Sequence, residues 1–271
     1  MNMNWFSSLI FGFISGISVF LPISSKAHQE LSSFLFGVSQ NDPVRDFVVH
    51  IAMLLSLYYA CVPLFQQVRK APRSGYMHVT RQLVDKRFVS NATLPMLIGL
   101  IVLWYVVRGT NGNLLICAGM LLLNGILLYL PGRMLQGNKD SRSMSKIDSV
   151  LFGLIGGLGS VSGLSRVGSQ TSLAIARGAD RQQALNWTLQ MSMPALLVLS
   201  FFDILQMFTV GNIPFWTSFF TYILSAVGSF IGGYCGIKMA KIVMERIGFF
   251  GFAYYSWGAA LLTFLLYLFA V

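Results

Sequence analysis

GFISGISVFLPISSKAH at residues 12–28 and GLIGGLGSVSGLSRVGS at residues 153–169 are the two stretches on which the reading of this chain turns. Both are apolar, both are interrupted by Gly and Ser, and they occupy corresponding places in the two halves of the sequence. They align without gaps: Gly12 falls on Gly153, Gly16 on Gly157 and Ser24 on Ser165, while the basic residues Lys26 and Arg166 lie one position apart. In membrane proteins built from duplicated halves, broken helices at matching positions point to a substrate site near the bilayer midplane.

The surrounding sequence is that of a polytopic helical membrane protein. Of its 271 residues 55% are apolar and only 10% charged, a balance foreign to soluble domains. Crossing a hydrocarbon core takes about 20 mostly apolar residues, and six stretches meet that need: 47–66, 90–108, 113–131, 185–208, 216–237 and 248–270. The first basic residue, Lys26, follows the first apolar stretch rather than preceding it, so that stretch is expected to remain attached rather than act as a cleaved signal. Cys61, Cys117 and Cys235 fall inside predicted spans at no metal or disulfide spacing and read as small packing residues. His28, His50 and His78 form no zinc-like cluster, so no metal site is expected.

The net charge of +10 does not imply nucleic acid. The basic residues sit in short loops between spans, where they set orientation. The loop 67–87 carries Arg69, Lys70, Arg73, Arg81, Lys86 and Arg87, and the loop 132–147 carries Arg133, Lys139, Arg142 and Lys146; both are placed in the cytoplasm, with the segments 177–184 and 238–246. Arg45 and Arg108 fall on the opposite side. Only Lys26 and Arg166 are left over, one inside each broken segment. From Ser149 to Ser162 a helix would extend about 21 Å at 1.5 Å per residue, too short to cross. Both segments therefore read as re-entrant hairpins, about 5–37 and about 148–178, entering from opposite sides so that their tips meet. The expected architecture is one integral-membrane domain, all-α, with six transmembrane helices plus two re-entrant helical hairpins in an inverted repeat of halves 1–131 and 146–271.

The tips carry an anion-binding inventory. Tip one offers Ser24, Ser25, Lys26 and His28; tip two offers Ser165, Arg166 and Ser169 with neighbouring Ser162, Gln170 and Thr171. Arg presents a planar fork to phosphate oxygens, Lys a point charge, and hydroxyls with backbone amides at a helix N-terminus complete a cradle. A charge held within the membrane is costly unless paired or hydrated, and neither quoted segment contains a carboxylate. Gly12, Gly16, Gly153, Gly156 and Gly157 read instead as helix-packing positions. Asp203, near the end of its span, reads as interfacial, whereas Asp46 and His50, one turn apart, are able to face hairpin one.

These motifs resemble a known family. FLPISSKAH at 20–28 is similar to the FLPxSSxGH motif of bacterial undecaprenyl-diphosphate phosphatases, also called bacitracin-resistance proteins, and SGLSRVG at 162–168 to their PGxSRSG. DFVVHIA at 46–52, ARGADRQQA at 176–184, SMPA at 192–195, GNIP at 211–214 and FAYY at 252–255 follow in the family's order. The resemblance implies six spans with two re-entrant hairpins, and removal of the terminal phosphate from undecaprenyl diphosphate at the bacterial inner membrane. It places the family's site serine, histidine and arginine on Ser25, His28 and Arg166. It also implies departures: Ser15 and Val19 stand where the family has glutamates that serve hydrolysis and bind a divalent cation, and Lys26, Ala27, Ser162 and Val167 replace other motif residues.

The leading expectation is thus a pocket that binds the phosphate of a polyprenyl phosphate lipid and moves or recycles it, with Arg166, Lys26, Ser24, Ser25, Ser165 and Ser169 around the phosphate and no cofactor. The alternative is an active diphosphatase acting on the polyprenyl diphosphate, with His28 and Ser25 catalytic and magnesium or calcium required. There Glu30 or Asp46 would supply the missing carboxylate, although Glu30 points to a different helix face from His28. Either way the expected partners are the lipid and the membrane, with a homodimer compatible with both.

Overall fold

A computed structural model describes residues 4–36, 42–70, 86–107, 113–135, 137–140, 143–209 and 215–270. Much of the 67–87 loop, Arg108, Arg142, His78 and the GNIP motif lie outside the described residues. Among the described residues ten helices are seen: α1 (Trp5–Phe20), α2 (Ser25–Phe36), α3 (Pro43–Lys70), α4 (Lys86–Val107), α5 (Leu114–Gly132), α6 (Lys146–Leu158), α7 (Arg166–Ala176), α8 (Arg181–Met207), α9 (Phe215–Arg246) and α10 (Gly251–Ala270). Six of them, α3, α4, α5, α8, α9 and α10, are long and apolar enough to cross a membrane. The protein is a multi-pass, all-helical membrane protein.

The other four helices pair into two hairpins, α1–α2 and α6–α7. Their 16, 12, 13 and 11 residues correspond to about 16–24 Å of helix, short of a hydrocarbon core of roughly 30 Å. Each break has a local cause. Leu21 precedes Pro22, which drives it to extended backbone (φ −98°, ψ 157°) and stops α1. Hairpin two turns at Gly163, whose φ of +95° suits glycine, and restarts where Ser165 caps α7 by accepting from Gly168 N.

Several of the helix contacts recur when the two halves are exchanged. The first hairpin helix of each half packs on the fourth helix of the other: α1 on α9, α6 on α4. Likewise α3 meets α8 and α9, α8 meets α3 and α4, and α5 meets α10. The close crossings explain the glycines. A Cβ at Gly12 or Gly16 would land on the carbonyls of Ser225 and Ser229, and one at Gly228 or Gly232 on those of Leu9 and Phe13. At the matching crossing, a Cβ at Gly153 would strike Ala92 O, and Gly157 lies against Gly99. Between apolar helices in lipid such backbone approach is a main source of attraction.

The foot of hairpin two is anchored electrostatically. Ser145 and Asp148 form a capping box at the start of α6, and Arg177 Nε donates to Asp148 Oδ1 at 2.6 Å. Burial by itself would raise the Asp148 pKa, but the bonds from Ser145 and Arg177 outweigh it and hold the carboxyl below its ordinary value of 3.8. Because the folded value is depressed, this stabilisation is present above about pH 4 and lost as pH falls through the lowered value. Asp148→Asn is therefore expected to cost about 1 kcal/mol at pH 7, measured as thermal stability in detergent. The gap from the parent should close on acidification below pH 4; a gap that stays constant would refute the assignment.

Candidate functional site

The tips of the two hairpins are bonded to each other. Gly163 N donates to Ser24 Oγ at 3.1 Å and Ser165 Oγ donates to Leu21 O at 3.2 Å. Asn124 on α5, fully buried, ties both: its Nδ2 donates to Pro22 O and to Ser256 Oγ, while its Oδ1 accepts from Ser165 N. Ser24 sits at φ +62°, a left-handed conformation costing an L-residue roughly 1–2 kcal/mol, and its hydroxyl accepts from both Ala27 N and Gly163 N. The strain is offset by the junction it makes.

Beside this junction lies a cavity of about 530 Å³. Ser25, Lys26 and Glu30 of hairpin one and Ser165 and Arg166 of hairpin two form one side; Arg45, Asp46 and His50 of α3 and Asp203 of α8 form another, with Leu100, Leu103, Trp104 and Leu199 as an apolar flank. Arg166 is the most unusual of these residues. It is 8% exposed, and neither its Nε nor its Nη2 has a hydrogen-bond partner among the described residues. A buried guanidinium with two unused donors is expensive to hold and is shaped for a bidentate oxyanion.

The sequence-based candidates separate into two groups. Arg166, Lys26 and Ser25 line the cavity. Ser24 and Ser169 do not; Ser169 donates to Ser165 O at 2.7 Å. Ser165 lines the cavity, but its hydroxyl hydrogen goes to Leu21 O. Ser24 and Ser165 hold the tips together and Ser169 bonds back within its own helix, and of the named serines Ser25 has the hydroxyl without a bonding partner among the described residues. His28 faces away from the cavity: Nδ1 lies 2.8 Å from Ser24 O, Nε2 lies 2.6 Å from Tyr255 Oη, and the rings of His28 and Tyr255 stack.

Two expectations about charge are corrected. Arg45, counted as an outer loop charge, is 2% exposed, lies over the Phe11 ring at 4.5 Å and pairs with Asp46 at 3.0 Å. It is a cavity cation because the first turn of α3 is packed inward on α1. The tips are also not remote from carboxylates. Glu30, one turn beyond Lys26 on the same helix face, lines the cavity and accepts from Ser162 Oγ at 2.7 Å, and Asp46 and Asp203 line it too. Asp203, read as interfacial, is buried and bonded to His50 Nδ1 at 2.6 Å. An acid 153 residues from its histidine leaves no local pattern to find.

A family profile for bacitracin resistance protein BacA matches residues 8–262. The chain belongs to that family. Among curated relatives, an undecaprenyl-diphosphatase of Thermodesulfovibrio yellowstonii is 28% identical over 97% of this chain and 98% of its own length. Those of Carboxydothermus hydrogenoformans and Methanobrevibacter smithii are 26% and 25% identical, covering 94% and 97% of this chain and 94% and 98% of their own. Whether this BacA-family member could hold a divalent cation as the resemblance implies can be judged from its donors. Ser15, where the resemblance implies one glutamate, is fully buried with a hydroxyl unpartnered among the described residues, and Val19, where it implies the other, puts a hydrocarbon side chain on the cavity wall. Among the described residues no group of three or more His, Cys, Asp or Glu is arranged around one point. The donor set does not fit such an ion, whose ligands are carboxylates and other oxygens.

Proposed function

We propose that the cavity receives the diphosphate head of an undecaprenyl-type lipid and that this chain releases its terminal phosphate. The observation that carries this reading is Arg166, buried at the cavity with unused donors; the names of the relatives support the substrate and the reaction. Arg166 grips the head group, Lys26 neutralises it, and Ser25 presents a free hydroxyl beside them. The apolar flank of Leu100, Leu103, Trp104 and Leu199 offers the prenyl chain a dry path. The hairpins are read as re-entrant, in a bacterial inner membrane with the basic loops cytoplasmic.

A second reading is favoured by Ser15 and Val19: a pocket that binds polyprenyl phosphate without hydrolysis and carries it across the bilayer. Phosphate release from undecaprenyl diphosphate by the purified protein, with and without magnesium or calcium, separates the two. Turnover abolished in Ser25→Ala and Arg166→Ala is the expected result. Lipid binding without release, together with accelerated transbilayer exchange in vesicles, would establish the second reading; no binding of either lipid would overturn both.

A further inference from the structure

The charges lining the cavity balance. Lys26, Arg45 and Arg166 share the lining with Glu30, Asp46 and Asp203, so without a head group the wall carries as many carboxylates as basic side chains, although Arg166 itself is paired with none of them among the described residues. A phosphate head adds roughly two negative charges to a partly open cavity walled by buried side chains, where uncompensated charge is costly. One further group on the wall can change its charge near neutral pH, and that is His50. A carboxylate oxygen only accepts, so the 2.6 Å contact with Asp203 Oδ2 places the imidazole hydrogen on Nδ1. In the neutral imidazole Nε2 is then a free acceptor: it has no partner among the described residues and belongs to a side chain 16% exposed within the cavity lining.

We propose that the His50–Asp203 pair makes head-group binding proton-coupled, with Nε2 of His50 taking up a proton from water as the anion enters and donating it in a hydrogen bond to a phosphate oxygen. This rests on the reading of the cavity as the head-group site. The ionisable surroundings of His50 come from every side: Asp46 and Arg45 on its own helix, Asp203 on α8, Lys26 and Glu30 on α2, and Arg166 on α7, with Tyr222 of α9 toward Arg45. Arg45 and Asp46 pair with each other at 3.0 Å. Among the described residues Asp203 alone bonds the imidazole directly, and it stabilises the imidazolium once formed, in the manner of a carboxylate behind a histidine.

The test is calorimetric titration of the full chain in detergent with farnesyl monophosphate at pH 7.5, above the probe's own second ionisation near pH 6, in two buffers of different ionisation enthalpy. Uptake of about one proton per bound probe is expected, with Kd rising up to about tenfold per pH unit above the titration of the pair. His50→Gln and Asp203→Asn should each bind the probe with uptake near zero and a flattened pH profile. Binding to the parent protein without uptake, or with a flat Kd from pH 6.5 to 8.5, would overturn proton coupling while leaving the head-group reading intact, and the flat profile needs no variant to fold. Uptake that persists in both variants would likewise overturn it. Absence of probe binding, or full binding by Arg166→Ala, would instead remove the head-group reading itself.

Discussion

Arg166→Ala is expected to lower affinity for a polyprenyl phosphate head by a hundredfold or more while leaving the protein as stable as before, or more so. The two effects share one cause. Nε and Nη2 of Arg166 are buried without partners among the described residues, and an uncompensated buried charge lowers stability. With a phosphate bound, the same donors form charge-assisted bonds, and truncating one partner of such a pair costs about 2–5 kcal/mol. Binding measured by calorimetry should therefore collapse while the thermal midpoint in detergent holds or rises. Arg166→Lys should fall between, because it keeps the charge and loses the planar fork. A melting temperature that drops in step with affinity would mean that Arg166 is a structural residue.

Gly16→Val is expected to produce the largest loss of stability, about 3 kcal/mol or more. The crossing of α1 and α9 runs backbone on backbone, so a side chain at Gly16 meets Ser229 O rather than a flexible side chain that could move. Gly157→Val should act similarly where α6 crosses α4, since its Cβ would lie 2.8 Å from Gly99 Cα. Each also shifts a hairpin whose tip holds Arg166 or Lys26, so residual folded protein should bind head groups poorly. Gly119 is the control: nothing lies within 4 Å of its Cβ position, and Gly119→Ala should be neutral or gain up to about 1 kcal/mol from helix propensity. Equal melting temperatures for Gly16→Val and Gly119→Ala would show that the close crossing does not limit stability.

The six spans were legible because a run of about 20 apolar residues is a local property that lipid reads directly. The stretches 47–66, 113–131 and 185–208 fall within a few residues of the α3, α5 and α8 helices. The interruptions were legible for a similar reason, since Pro22 and Gly163 act on their own backbone. Arg166 could be singled out because no loop accounted for it. The rest of the site was not available in this way. Arg45 carries the signature of a loop charge, and only the packing of α3 on α1 shows it buried. Asn124 is one polar residue in an apolar span, and its bonds to Pro22 and Ser165 join three separate elements. His28 matched a motif, yet its ring turns to Tyr255, whereas Glu30 two residues later turns to the cavity.

Local chemistry in the chain thus determined that this protein is helical, that six of its described helices are long and apolar enough to cross a membrane, that two segments break into short paired helices and that two cations accompany the breaks. Tertiary structure alone decided which charges share a space. It paired His50 with Asp203, gave Lys26 carboxylate neighbours, left Arg166 without one among the described residues, and committed Ser24 and Ser165 to the junction. The division is physical: propensity, hydrophobicity and backbone restriction act over a few residues, whereas electrostatic balance and hydrogen-bond partnership depend on distances that the chain acquires only on folding.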